Sequence, residues 1–73
     1  MSSSLEDHLR HTEEQLALGE RNIARQREII ARLRAEGRDP TGAEKLLRAF
    51  EELQSGLVAS RDSLRNLAQE QRK

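Results

Sequence analysis

Few residues in this chain are of a type and spacing that could do chemistry. His8 and His11 stand three apart, with Asp7 and Glu14 close by in sequence. Two imidazoles at that spacing can share a helix face and offer nitrogen ligands to a metal. A di-iron bundle would carry Glu-x-x-His on each of two helices. The residues three before His8 and His11 are Leu5 and His8, so that motif is missing. The pair reads as solvated surface near a helix start, and no metal ligand is assigned. The second group is cationic. In RNIARQREIIARLR, Arg21, Arg25 and Arg32 fall on one outer helix face, at roughly i, i+4 and i+11. Such a row can meet nucleic-acid phosphates. Glu28 interrupts it, no Tyr or Trp is available to stack on bases, and 13 basic residues balance 13 acidic ones. The sequence favours a solvated face with intrahelical pairs such as Glu28–Arg32. Nucleic-acid binding is the lesser alternative.

Nucleophiles are no better supported. The chain has no cysteine, which excludes disulfides, thiolate catalysis and cysteine-held zinc. Ser60 and Ser63 read as small polar residues on a packed helix, with no base at a useful spacing. GRDPTG, residues 37–42, lacks the spacing of a phosphate loop. The expectation is a protein without enzymatic activity, with no catalytic residue and no cofactor.

The elements that must position these side chains are helices. A chain of 73 residues supports one small domain. Its charged fraction is 36% and Phe50 is its only aromatic, the make-up of a long helix or coiled coil. Leu9, Leu16, Ile23 and Ile30 recur every seven residues, interleaved with Leu5, Thr12, Gly19, Gln26 and Leu33. Together they form an a/d seam on one helix face. Three of the interleaved positions are polar or Gly, so the first set carries most of the packing. On a second helix, Phe50, Leu57 and Leu64 take one seam position. Leu46, Leu53 and Leu67 take the other, with Ser60 interrupting. These residues form the expected core of a hairpin or of a dimer. Leu18, Ile29, Leu47 and Val58 lie outside the strict seam and widen the apolar face. Ala17, Ala24 and Ala31, and separately Gly42, Ala49, Gly56 and Ser63, form heptad-spaced stripes of small residues. Thr12, Gln26 and Ser60 read either as polar layers that fix register or as boundary positions near solvent.

The spacing predicts helix 1 over about 4–36, a loop at about 37–41 and helix 2 over about 41–71. Ser3 and Glu6 fit a capping box at the start. Gly37 suits a helix C-terminus and Pro40 blocks continuation. Helix 2 can begin with Thr41 and Glu44 as a second capping box, or with Asp39 as N-cap and Pro40 at the first helical position. A loop this short joins antiparallel neighbours. Charge agrees: each helix is acidic early and basic late, Arg72 and Lys73 included, so folding back sets opposite charges side by side. The fold class expected is all-α, an antiparallel two-helix hairpin forming a single domain over 1–73.

One hairpin has one contact face, too little to bury Leu18, Ile29, Leu47 and Val58 outside the seam as well. Pairing two hairpins into a two-fold four-helix bundle solves this, so a homodimer is expected. Leu57→Glu should then remove dimer and helicity together. In architecture alone this resembles Rop, a small RNA-binding hairpin that dimerises; the alternative function is a Rop-like nucleic-acid-binding regulator using Arg21, Arg25 and Arg32. The first residues do not read as a secretory signal. No apolar run approaches the ~20 residues of a membrane span. Cytoplasmic residence, a second copy as partner, an unidentified protein as a further partner and no membrane contact are the expectations.

Residues 19–64 also resemble a group of small uncharacterised proteins of alphaproteobacteria, especially rhizobial relatives. The likeness is carried by R-x-I-A-R-Q-R-E-x-I at Arg21–Ile30, Gly-x-Asp at Gly37–Asp39 and LL-x-x-FE at Leu46–Glu51. It implies a bacterial helical hairpin of unassigned function and adds no site residue.

Overall fold

The heptad periods carry straight into the backbone. The structure is a computed structural model that describes residues 4–71. Helix α1 is Ser4–Ala35 and helix α2 is Thr41–Gln71, and no strand occurs among the described residues. The expected bounds hold to within a residue. Ser3, Arg72 and Lys73 lie outside the described residues, and with Ser3 the first capping box.

The turn between the helices is built by three residues. Gly37 takes φ of 70°, a left-handed conformation that costs an L side chain about 1–2 kcal/mol. Its N–H donates to Arg34 O at 3.1 Å, and that of Arg38 donates to Leu33 O at 2.8 Å. These two bonds form a Schellman cap and satisfy carbonyls that α1 would otherwise leave open. Asp39 then starts α2. Its Oδ1 accepts the Thr41 N–H at 3.0 Å and the Thr41 hydroxyl at 2.6 Å. Of the two starts open to the sequence, the structure uses Asp39 as N-cap with Pro40 at the first helical position. The Thr41–Glu44 box is not made, because Thr41 gives its hydroxyl to Asp39 and Glu44 reaches Arg34 instead.

The helices lie antiparallel in one layer measuring 57 × 18 × 13 Å. On α1 the seam is the expected one. Leu5, Leu9, Gly19, Ile23 and Leu33 are half-buried, and Thr12, Leu16, Gln26 and Ile30 are buried. On α2 half of it differs. Phe50, Leu57 and Leu64 face α1 as expected, and Ala43 extends their row. The other row is Leu47, Gln54, Arg61 and Ala68, one residue on from the expected leucines. Leu46, Leu53 and Leu67 are exposed, Leu53 by 66%. They are therefore not part of the hairpin seam. The physical reason is that turning α2 by one position lets Gln54 bond across the seam and brings Glu44, Glu51 and Arg65 onto α1's charges.

Candidate interaction surface

The two long edges of the hairpin differ in chemistry. Along one edge, Arg27, Ile30, Ala31 and Arg34 face Glu44, Leu47, Arg48 and Glu51 across a shallow groove. Interhelical ion pairs run down this edge. Arg34 meets Glu44 at 2.7 Å, Arg27 meets Glu51 at 3.5 Å, and Glu13 meets Arg65 at 2.9 Å. Acidic and basic halves pair as the charge gradients require. All three are largely exposed, so each contributes about 0–1 kcal/mol and sets orientation more than stability.

Between the edges, two glutamines cross the seam. Gln26 donates from Nε2 to Ala43 O at 3.0 Å, and Gln54 donates from Nε2 to Leu16 O at 2.8 Å. Each thus ties one helix to the other's main chain, which fixes their register. Thr12 turns its hydroxyl back onto His8 O at 2.9 Å within its own helix. Thr12 and Gln26 are among the most buried residues, which decides against the boundary reading for them; Ser60 is exposed. The role of Gln54 was hidden in the sequence by the leucines beside it. Its signal is the neighbouring register, Leu47, Gln54, Arg61, Ala68, combined with a Gly at position 19 opposite it. At Gly19 a Cβ would overlap the Gln54 amide oxygen.

The other edge carries a groove lined by Gln15, Leu18, Asn22, Phe50, Leu53 and Leu57. Further along, His8, Thr12, Ser60, Ser63 and Leu64 line its continuation. Helical spacing places Ile29 in the row of Asn22, and Leu46 and Leu67 in the row of Leu53. The exposed large apolar side chains of the described residues, Leu18, Ile29, Leu46, Leu53 and Leu67, therefore stand on this edge. Its two flanking rows are His8, Gln15, Asn22, Ile29 and Leu46, Leu53, Ser60, Leu67, with no Asp, Glu, Lys or Arg among them. Beside them on α2 runs the small row Gly42, Ala49, Gly56, Ser63. Gly56 is mid-helix, and a Cβ there would meet nothing within 4 Å in the hairpin. It costs about 0.5–1 kcal/mol relative to Ala and earns nothing back within one chain.

The chemistry-bearing candidates remain apart from any enclosed site. His8 and His11 are exposed in a surface hollow with Ser4 and Asp7. No group of three or more His, Cys, Asp or Glu that could hold a metal occurs among the described residues. Arg21, Arg25 and Arg32 are exposed and make no ion pair among the described residues. The expected Glu28–Arg32 pair is not formed, whereas Arg10 pairs with Asp7 at 3.7 Å and Arg61 with Asp62 at 3.2 Å within their helices. Among the described residues, a shift in acidity stands at the turn. The Thr41 hydroxyl, and then its backbone N–H, stabilise the Asp39 carboxylate and hold its pKa below the ordinary value of 3.8. No described helix is long and apolar enough to cross a membrane. Comparison of the chain with protein-family models, with curated proteins and with solved structures finds no match.

Proposed function

We propose that this hairpin is a non-enzymatic interaction module that works as a homodimer, joined through its leucine-bearing edge into a four-helix bundle. The observation that carries the reading is the gathering of the described residues' exposed large apolar side chains on the edge opposite the interhelical ion pairs. A water-facing edge has no use for such a row, whereas a helix–helix contact does. Surface area agrees. The hairpin exposes 5758 Å², about 1,100 Å² more than a compact monomer of 8.4 kDa would show. A standard interface removes about 800 Å² per partner. The test is light scattering behind a sizing column on the wild type and on Leu53→Lys. The wild type should run as a dimer at micromolar concentration. Leu53→Lys should shift it to monomer, since a lysine there meets the second copy and not the hairpin seam. A stably folded wild-type monomer would overturn the reading. Leu57→Glu is a harsher change, because Leu57 sits in the seam and the hairpin itself should fail with it.

One observation favours a second reading, a Rop-like nucleic-acid-binding regulator: Arg21, Arg25 and Arg32 are free of ion pairs among the described residues. Binding of a duplex or hairpin RNA at low salt, weakening with added salt and lost in the triple Ala variant, would support it. No binding at low salt removes it.

A further inference from the structure

Resting on the homodimer reading, we infer that the two copies pack with their turns at opposite ends, α2 against the second copy's α2 and α1 against its α1. The two edge rows are unlike. On α2 the row is Leu46, Leu53, Ser60 and Leu67, and on α1 it is His8, Gln15, Asn22 and Ile29. Gly19 stands against Gln54 and Arg27 beside Glu51, which fixes which residues of the two helices stand at the same height. If the turns lay at the same end, α2 would face the second copy's α1 at equal height. Leu53 would then sit on Asn22, Leu67 on His8, and Ala49 on the charged Arg25. With the turns at opposite ends, α2 meets itself antiparallel about an axis near Gly56. Leu46 faces the second copy's Leu67, Leu53 fills the room left by its Ser60, and Ala49 lies over its Ser63. Gly56 then lies over Gly56, which gives a use to a glycine whose Cβ position is empty in the hairpin. The apolar row is buried against an apolar row.

Charge points the same way. The same axis passes α1 near Leu18, antiparallel to the second copy's α1. Its acidic first half then lies along the other's basic second half. Arg21 and Arg25 come beside Glu14 of the second copy, and Arg32 beside its Asp7. Glu28 also nears that Asp7, but Arg25 and Arg32 flank both carboxylates. Arg21, Arg25 and Arg32, which make no ion pair among the described residues, thereby gain partners. The opposite choice would leave Arg25 and Arg32 over Ala49 and Gly42.

The chain has no cysteine, so a nitroxide on Arg38→Cys, in the turn, reports one distance per dimer by pulsed dipolar spectroscopy. Turns at opposite ends put the labels about 55 Å apart, from ~1.5 Å of rise per residue over the stretch either side of the axis. Turns at the same end put them within about 25 Å, given interaxial spacings of ~8–10 Å. Light scattering on the same labelled sample separates the two ways to fail. A dimer with the short distance overturns this arrangement and leaves the homodimer reading standing. A monomer with no dipolar signal overturns both. A dimer with the long distance, lost in Arg38→Cys combined with Leu53→Lys, supports the arrangement.

Discussion

At the scale of single residues, the hairpin's register is held by glutamine amides more than by leucines. Only Leu16 and Ile30 are buried among the described apolar side chains, at 6% and 5% exposure. Gln26 at 6% is as deep, and Gln54 occupies the space that Gly19 leaves. This makes a sharp coupling. Alanine is favoured over glycine in a helix interior by about 1 kcal/mol, yet Gly19→Ala must displace the Gln54 amide and its bond to Leu16 O. The substitution should therefore destabilise the wild type. In a Gln54→Ala background it should instead stabilise, for a coupling of about 1–2 kcal/mol in urea unfolding at one protein concentration. Independent, additive effects would show that the amide does not hold the register. The α1 half of this was legible in the sequence, since Thr12, Gly19 and Gln26 stand at heptad positions. Gln54 was not, because Leu46, Leu53 and Leu67 supplied a stronger apolar period one residue away.

At the scale of elements, local chemistry decides where each helix stops and starts, and most of that was readable. Gly37, Pro40 and Asp39 act as their types dictate. Between two legal starts for α2 the sequence could not choose, because both satisfy an orphan N–H; the choice turns on where Glu44 points, and Arg34 settles that from the other helix. The Asp39 cap carries a pH signature. Its carboxylate has a folded pKa below the ordinary value, so its contribution is complete above the unfolded pKa and fades as pH falls through the folded one. Acid titration of stability should show a component below about pH 4 that Asp39→Asn lacks, since an amide caps without titrating. Asp39→Ala should lower the melting temperature at neutral pH, where Asp39→Asn holds it near wild type. Equal acid sensitivity in wild type and Asp39→Asn would place the titrating groups elsewhere.

At the scale of the whole molecule, a layer 13 Å thick cannot enclose a core. The antiparallel hairpin was legible because helical period, turn chemistry and charge gradient all agreed on it. Which leucines face inward was not, since that depends on how one helix is rotated against the other. If the edge row is buried by a second copy, stability must follow mass action. The thermal midpoint should rise by several degrees between about 5 and about 500 μM chain. A midpoint independent of concentration would mean that two helices suffice.

The turn also sets a kinetic order. Cross-helix bonds close loops of very different length: 10 residues for Arg34–Glu44, 17 for Gln26–Ala43, 38 for Leu16–Gln54 and 52 for Glu13–Arg65. Loop-closure entropy rises with length, so the chain zips from Gly37 outward, each contact shortening the effective loop for the next. The open ends, where Ser4 and Gln71 lie, are the last to close and the first to part.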